Sequence, residues 1–411
     1  MPETKAVFLP FVFCALSVTS SMSQLFWTKT LGKFVNAVNV LPVDQLEAPW
    51  LRRIRGWNWS AIALILCIKV LVFTYAVQSV TAFSDQKVKW MEIWNRWDAV
   101  HYLRLAEKGY VSTGEDSVSL VFYPLYPWLV RIAAFVTQDY LVAAFVISGI
   151  ASVAAGLFLQ RLARVDESED VARNSVWFLF IFPTSYFLHI GYTESLFLAL
   201  VLGSFLAARR ERWWIAGLLG TCACLTRVNG LLLAPALALE ALAQYRISRR
   251  INYRWLWIGV VPLGFAVYLW LNYKVTGDFF AFSKIMEEHW FKKFTTPWFA
   301  VRDVWRRVPE GKSLEGLHEF FFIVFGLVCT VWCWLRLRPS YALWMTCNWL
   351  LINSTAFVVS VPRYLLVFFP IFILFARAGT SRRLWFAVLT VSSLLYLALY
   401  AGRFTQGLWA F

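Results

Sequence analysis

Residues 59–80 read WSAIALILCIKVLVFTYAVQSV, an uninterrupted apolar run whose one charged residue, Lys69, sits midway along it. A helix that crosses a bilayer needs about 20 such residues. Further apolar runs occupy 140–162, 174–190, 193–208, 213–227, 228–245, 255–273, 318–336, 341–360, 362–377 and 384–402. The composition agrees with this reading. Of 411 residues, 60% are hydrophobic and 18% aromatic, and only 15% are charged, against roughly 25% charged in soluble domains. That much apolar surface requires lipid as its solvent, and in lipid the helix satisfies its own backbone. The expected fold class is all-α: a polytopic membrane protein of about eleven transmembrane helices, with amphipathic interfacial helices in the first outer loop.

The net charge of +15 would suggest nucleic acid in a soluble domain. Here no nucleic-acid partner is expected, because the basic residues sit in short clusters between apolar runs, where the positive-inside rule puts them. Those clusters are Arg52 to Arg55, Arg161 with Arg164, Arg209 to Arg212, Arg246 to Arg254, Arg336 with Arg338, and Arg382 with Arg383. All fall on one side, which is then the cytoplasm. The connections 81–139 and 274–317 lie on the outer side, as do the turns at Thr226-Arg227 and Val361-Pro362-Arg363. Residues 1–55 read as an N-terminal extension, interfacial or loosely attached, and 56–411 as the membrane unit. Lys5 and the apolar run Ala6 to Val18 resemble a signal-peptide core but lack an obvious cleavage site. The seven cysteines lie mostly inside apolar segments without zinc-type spacing, which suits buried thiols.

Several chemistries are missing. Gly311-Lys312-Ser313 has the tail of a phosphate loop, but Arg306 occupies the position of that motif's first glycine. No Gly-x-Gly-x-x-Gly, His-Glu-x-x-His or Asp-x-Asp occurs, and the four histidines are scattered. No cofactor and no metal site is expected, and a substrate carrying a high-energy bond must arrive in the membrane.

The polar residues that remain gather on the outer side. Trp94-Asn95-Arg96-Trp97-Asp98 through Gly109-Tyr110 mixes tryptophans and charges at near-helical spacing. This predicts an amphipathic helix in the headgroup layer, stopped at Gly109. It carries Asp98 toward both a lipid phosphate and an aqueous hydroxyl. Phe122-Tyr123-Pro124-Leu125-Tyr126-Pro127 cannot continue a helix through two prolines and reads as a rigid aromatic turn. Glu194 opens an outer helix start, where a carboxylate complements the dipole. Arg227, in Thr226-Arg227-Val228-Asn229-Gly230, and Arg363, in Pro362-Arg363-Tyr364, lie in apolar sequence without obvious partners. Such arginines take an anion, and two partners fit them: a substrate phosphate, or Glu194 and Asp98. A carboxylate can accept the proton of an attacking hydroxyl, and arginines can stabilise a departing phosphate.

At these residues the chain resembles the GT-C glycosyltransferases, specifically those like the enzyme that adds the second mannose in GPI-anchor assembly. The resemblance runs through Arg96-Trp97-Asp98-Ala99, Phe122 to Pro127, Phe182-Pro183, Tyr192-Thr193-Glu194-Ser195, Thr226 to Gly230, and Arg363-Tyr364, in order over roughly 60–402. It implies a polyprenyl-phosphate mannose donor, a lipid-linked or glycan acceptor, attack from the outer side, inversion at the sugar carbon, and Asp98 as the base. Arg227 and Arg363 then hold the donor phosphate. Arg96, Trp97, His101, Tyr192, Glu194, Asn229 and Tyr364 are candidates for sugar or acceptor contacts. Short outer loops point to a bacterial inner-membrane homologue, with the endoplasmic reticulum the site in a eukaryote. Glu288-His289-Trp290 departs from the expected pattern. A transporter or flippase is the alternative, but it would place ionisable groups near the midplane, often with repeat symmetry.

Overall fold

The computed structural model describes residues 58–82, 89–307 and 314–410. The extension 1–55 and the tripeptide 311–313 lie outside the described residues. The chain is a helical bundle. In order, the helices are α1 (Trp59–Thr81), α2 (Asp98–Lys108), α3 (Leu125–Thr137), α4 (Tyr140–Ala163), α5 (Glu169–Phe180), α6 (Glu194–Arg209), α7 (Trp213–Cys224) and α8 (Leu233–Ser248). They continue as α9 (Leu263–Thr276), α10 (Ala281–Trp290), α11 (Pro297–Arg307), α12 (Leu314–Arg336), α13 (Pro339–Ile352), α14 (Val361–Tyr364), α15 (Pro370–Ser381) and α16 (Arg383–Thr405). Among the described residues the only β pairing is an isolated antiparallel bridge, Phe294 with Thr355.

Every apolar run of the sequence contains helix, but the runs do not all fold as one long helix. Among the described residues six helices are long and apolar enough to cross a membrane, or up to eight if two sharply bent pairs each count as one. Prolines explain the breaks. The first bent pair joins 115–121 to α3 at 115° through Tyr123-Pro124, and the second joins 361–367 to α15 at 83° just before Pro370. A proline removes the backbone donor and clashes with the preceding turn. α7 is apolar but only 12 residues long.

α6 is the axis of the bundle. It packs against α4 and α7, and its side chains from Phe197 to Ala208 are nearly all buried. Around it, α5 lies against α15, α8 against α13, and α16 against both α1 and α15. α7 meets its neighbours at backbone contact. A Cβ on Gly264 would stand 2.2 Å from the Thr221 carbonyl oxygen, and one on Gly217 2.4 Å from that of Trp257. Only glycine permits so close an approach.

The two ends of α6 carry different charge clusters. At its C-terminal end Arg209 donates twice to Asp166, at 2.7 and 3.0 Å. There the buried Glu240 accepts from Arg338 at 3.0 Å and from Ser340 at 2.8 Å. Arg377 pairs with Glu167 and donates to the Arg336 carbonyl. At the N-terminal end stands Glu194. Sixteen residues at about 1.5 Å each separate the clusters by about 24 Å, close to a hydrocarbon core of about 30 Å. The six described cysteines are free thiols.

Candidate active site

Asp98 opens α2. The residue before it, Trp97, has φ +54°, an uncommon conformation for a large side chain, and the turn is held from several sides. The Tyr192 hydroxyl donates to the Arg96 carbonyl at 2.7 Å, and the Arg96 guanidinium donates to the carbonyls of Ile93 and Thr405 at 3.0 Å each. At the other end of α2, Gly109 takes φ +85° and its N–H returns to the Leu105 carbonyl, as the sequence predicts. Arg131 of α3 donates to the carbonyls of Leu105, Ala106 and Glu107, a cation closing a helix C-terminus. The predicted amphipathic segment is therefore two pieces: a short turn at 92–94 with Trp94 buried, then α2.

Arg227 lies in extended backbone between α7 and the turn 228–232. Arg363 is carried by α14, whose first turn is fixed by Glu319 of α12. That buried carboxylate accepts from the Ser360 N–H at 2.6 Å and the Val361 N–H at 2.8 Å. Ser360 itself has φ +68°. Thr184, from the Phe182-Pro183-Thr184 stretch, donates to the Pro362 carbonyl at 2.9 Å.

These elements bring four charged side chains into one chain of contacts. Arg363 Nη1 is 2.7 Å from Asp98 Oδ2, and its Nε is 2.6 Å from Glu194 Oε1. Arg227 Nη1 is 2.6 Å from the same Glu194 oxygen. Both arginines thus have protein partners, the second of the two options left open by the sequence: Glu194 and Asp98 lie far from them in sequence and meet them only in the fold. Arg363 also lies over the rings of Phe187 and Tyr192, each at 4.7 Å, and Arg227 over Tyr364 at 5.6 Å. Cation–π contacts of this kind add attraction at buried sites.

The cluster forms the floor of an open chamber of about 300 Å³ lined by Trp97, Asp98, Tyr102, Tyr192, Arg227, Asn229, Arg363 and Tyr364. Phe122 and Tyr123 of the aromatic turn also line it, as do Met286 and Trp290 of α10, Lys292, and Trp409. Trp97 meets Trp409 edge to face at 5.1 Å. Asn229 donates to Asn348 at 2.7 Å.

Two candidates stand elsewhere. Arg96 spends its guanidinium on backbone carbonyls and supports the turn under Asp98. His101 lies behind the wall, stacked on Phe122 at 5.1 Å, with Nδ1 2.9 Å from the Ser119 hydroxyl. Burial lowers its pKa, an effect that Asp98 opposes and Arg104 reinforces. Burial likewise raises the pKa of the Tyr102 phenol, which leaves a hydroxyl donor at the chamber wall. Glu194 sits just beneath the lining, 1% exposed.

Sequence reading missed Glu319, Lys292 and Trp409. Glu319 carried a usable signal, since a carboxylate within an apolar span is costly and marks a polar duty. Lys292 and Trp409 had none. Lys69 stands outside the chamber, its Nζ 5.6 Å from the Phe73 ring. Among the described residues no group of three or more His, Cys, Asp or Glu side chains could hold a metal.

Fold and site together define a multi-pass, all-helical membrane protein with a charged, aromatic-lined chamber at one end of its bundle. Residues 66–260 match the family described as Mannosyltransferase (PIG-V), and over that span the chain is similar to it. It is 26% identical over 164 residues to GPI mannosyltransferase 2 of Schizosaccharomyces pombe, covering 38% of this chain and 33% of the relative. It is 28% identical over 138 residues to GPI mannosyltransferase 2 of Yarrowia lipolytica, covering 33% and 37%. The match thus spans about a third of the length of these relatives. Among solved structures, the chain is similar to ArnT from Cupriavidus metallidurans bound to undecaprenyl phosphate, with TM-score 0.49, 15% identity and coverage of 79% and 61%. The Archaeoglobus fulgidus oligosaccharyltransferase gives TM-score 0.45, 14% identity and coverage of 84% and 56%.

Proposed function

We propose that the chain is an integral-membrane glycosyltransferase that moves mannose from a polyprenyl-phosphate mannose to a hydroxyl of a lipid-linked or glycan acceptor. Residues 56–411 are the catalytic unit, and the chamber faces the outer side of the membrane, opposite the basic clusters. One observation carries this reading: a partly exposed carboxylate, Asp98, lines the chamber and is held by Arg363, which lines the same space.

The chemistry follows from that placement. Arg363 holds Asp98 Oδ2, while Oδ1 accepts no hydrogen bond among the described residues and is free to take a proton. The acceptor oxygen attacks the anomeric carbon on the face opposite the phosphate, so configuration inverts. A carbon–oxygen bond forms as the anomeric carbon–phosphate oxygen bond breaks. Its electron pair stays on the phosphate, and the hydroxyl proton passes to Asp98. Negative charge thereby moves from the carboxylate to the phosphate. Arg363, bound to Asp98 before the step, and Arg227 beside it supply N–H donors where that charge arrives. Each guanidinium has five such donors, and the contacts to Asp98, Glu194 and Thr193 do not use them all. Trp97, Tyr192, Asn229 and Tyr364 are placed to bind sugar or acceptor.

The test uses membranes from cells overexpressing wild type or Asp98→Asn, given radiolabelled polyprenyl-phosphate mannose and a host lipid-and-glycan extract. The expected result is label in a new product with wild type and a loss of roughly 10²–10⁴-fold in the variant, the usual worth of a general base. Equal transfer by both proteins would remove Asp98 as the base.

A further inference from the structure

We infer that Lys292 is the phosphate-charge residue of the chamber: the cation that confers net positive charge on the site and selects a ligand bearing a phosphate anion. This rests on the lipid-phosphate reading above and names a residue that reading does not include.

The argument begins with charge. Asp98, Glu194, Arg227 and Arg363 are two carboxylates and two guanidiniums joined by contacts of 2.6–2.7 Å. As a group they are neutral. They offer directed N–H donors but no net charge, and an arriving anion would have to compete with two protein carboxylates for them. Lys292 differs. It lines the same chamber, and among the described residues no carboxylate lies within ion-pair distance of its ammonium. Its neighbours are paired: Lys293 with Glu287 at 2.8 Å and Lys284 with Asp278 at 2.7 Å. The Lys292 ammonium lies over the face of Tyr364, 5.4 Å from the ring centre, the ring that also receives Arg227 at 5.6 Å, and its charge also reaches the buried Glu319, whose carboxylate is already engaged by the N–H groups of Ser360 and Val361.

The fold places this lysine deliberately. α10 ends at Trp290, and Phe291 turns the chain at φ +54°. Immediately afterwards the chain is clamped to the 354–356 segment. Thr295 N–H donates to the Ser354 carbonyl at 2.9 Å and Ala356 N–H to the Lys293 carbonyl at 2.7 Å. Lys292 is held between these two anchors with its side chain over the chamber. A phosphodiester carries one negative charge, and one unpaired ammonium meets it. Lysine acts here as a point charge, while the arginines supply directional donors.

The test measures binding rather than turnover, on the full chain in nanodiscs by isothermal titration. The probes are farnesyl phosphate, farnesol and inorganic phosphate, applied to wild type, Lys292→Gln, Lys292→Arg and Lys293→Gln. The proposal expects Lys292→Gln to weaken farnesyl phosphate at least tenfold and leave farnesol unchanged. Lys292→Arg should recover most of the loss. Lys293→Gln, an equal change in net charge at an exposed ion pair, should bind like wild type. Weaker binding of inorganic phosphate than of farnesyl phosphate supports a lipid as the source of the anion, and equal binding overturns that source. Wild-type-like binding of farnesyl phosphate by Lys292→Gln overturns the assignment and leaves the lipid-phosphate reading standing. If wild type itself prefers farnesyl phosphate no more than farnesol, that reading falls and this inference with it.

Discussion

Glu194 is the residue on which the site turns. One of its oxygens accepts from both Arg227 and Arg363, and the residue is almost fully buried. Removing one partner of a buried ion pair leaves an uncompensated charge, at a cost of about 3–5 kcal/mol. Glu194→Gln strands two guanidiniums at once, although Arg363 keeps Asp98. The variant is expected to lose stability by about that amount, read as a lowered thermal midpoint in detergent. Asp98→Asn breaks a contact whose carboxylate is 23% exposed, so water replaces part of what is lost and the midpoint should fall much less. A larger fall for Asp98→Asn than for Glu194→Gln would mean that the ion chain is anchored at its rim and not at its base.

At the scale of elements, the active geometry depends on short, irregular pieces braced by long helices. α14 has four residues and cannot hold itself. Glu319, from the span α12, accepts from the N–H of Ser360, which precedes α14, and from that of Val361, its first residue, and a hydrogen bond to a charged group contributes about 1.5–3 kcal/mol. Glu319→Ala is therefore expected to speed amide exchange at Ser360 and Val361 and to displace Arg363, lowering transfer while α12 remains folded. Unchanged exchange at those two amides would show that Thr184 and the neighbouring helices suffice to hold α14. α2 is braced in the same way by Arg131 and Tyr192, both outside it.

For the whole molecule, the central fact is polarity along the bundle. Asp166 and Glu167, in the turn between α4 and α5, and Glu240 of α8 gather arginines at one end, and the chamber cluster occupies the other. By the charge rule the arginine-rich end is the expected cytoplasmic face. In a cysteine-free background, Lys284→Cys is expected to react with an impermeant maleimide in intact cells. Arg250→Cys should react only after permeabilisation. The reverse pattern would place the chamber on the cytoplasmic side and remove attack from the outer face. This polarity also separates the protein from the transporter alternative, which would bring its ionisable groups to the midplane.

The membrane class, the apolar runs, the helix stop at Gly109 and the order of the polar motifs were all determined by sequence alone. Each depends on local hydrophobicity or on a residue's own backbone preference, and both are written into neighbouring positions. The number of full spans was not legible, because prolines and short runs bend or truncate helices in ways that packing decides. Nor was the pairing of Arg363 with Asp98 and Glu194, which lie 265 and 169 positions away. From sequence, a buried arginine demands an anion but does not say which one. Only the tertiary structure could show that protein carboxylates meet the demand of both arginines. Only it could place Lys292, inconspicuous in the sequence, against the same chamber.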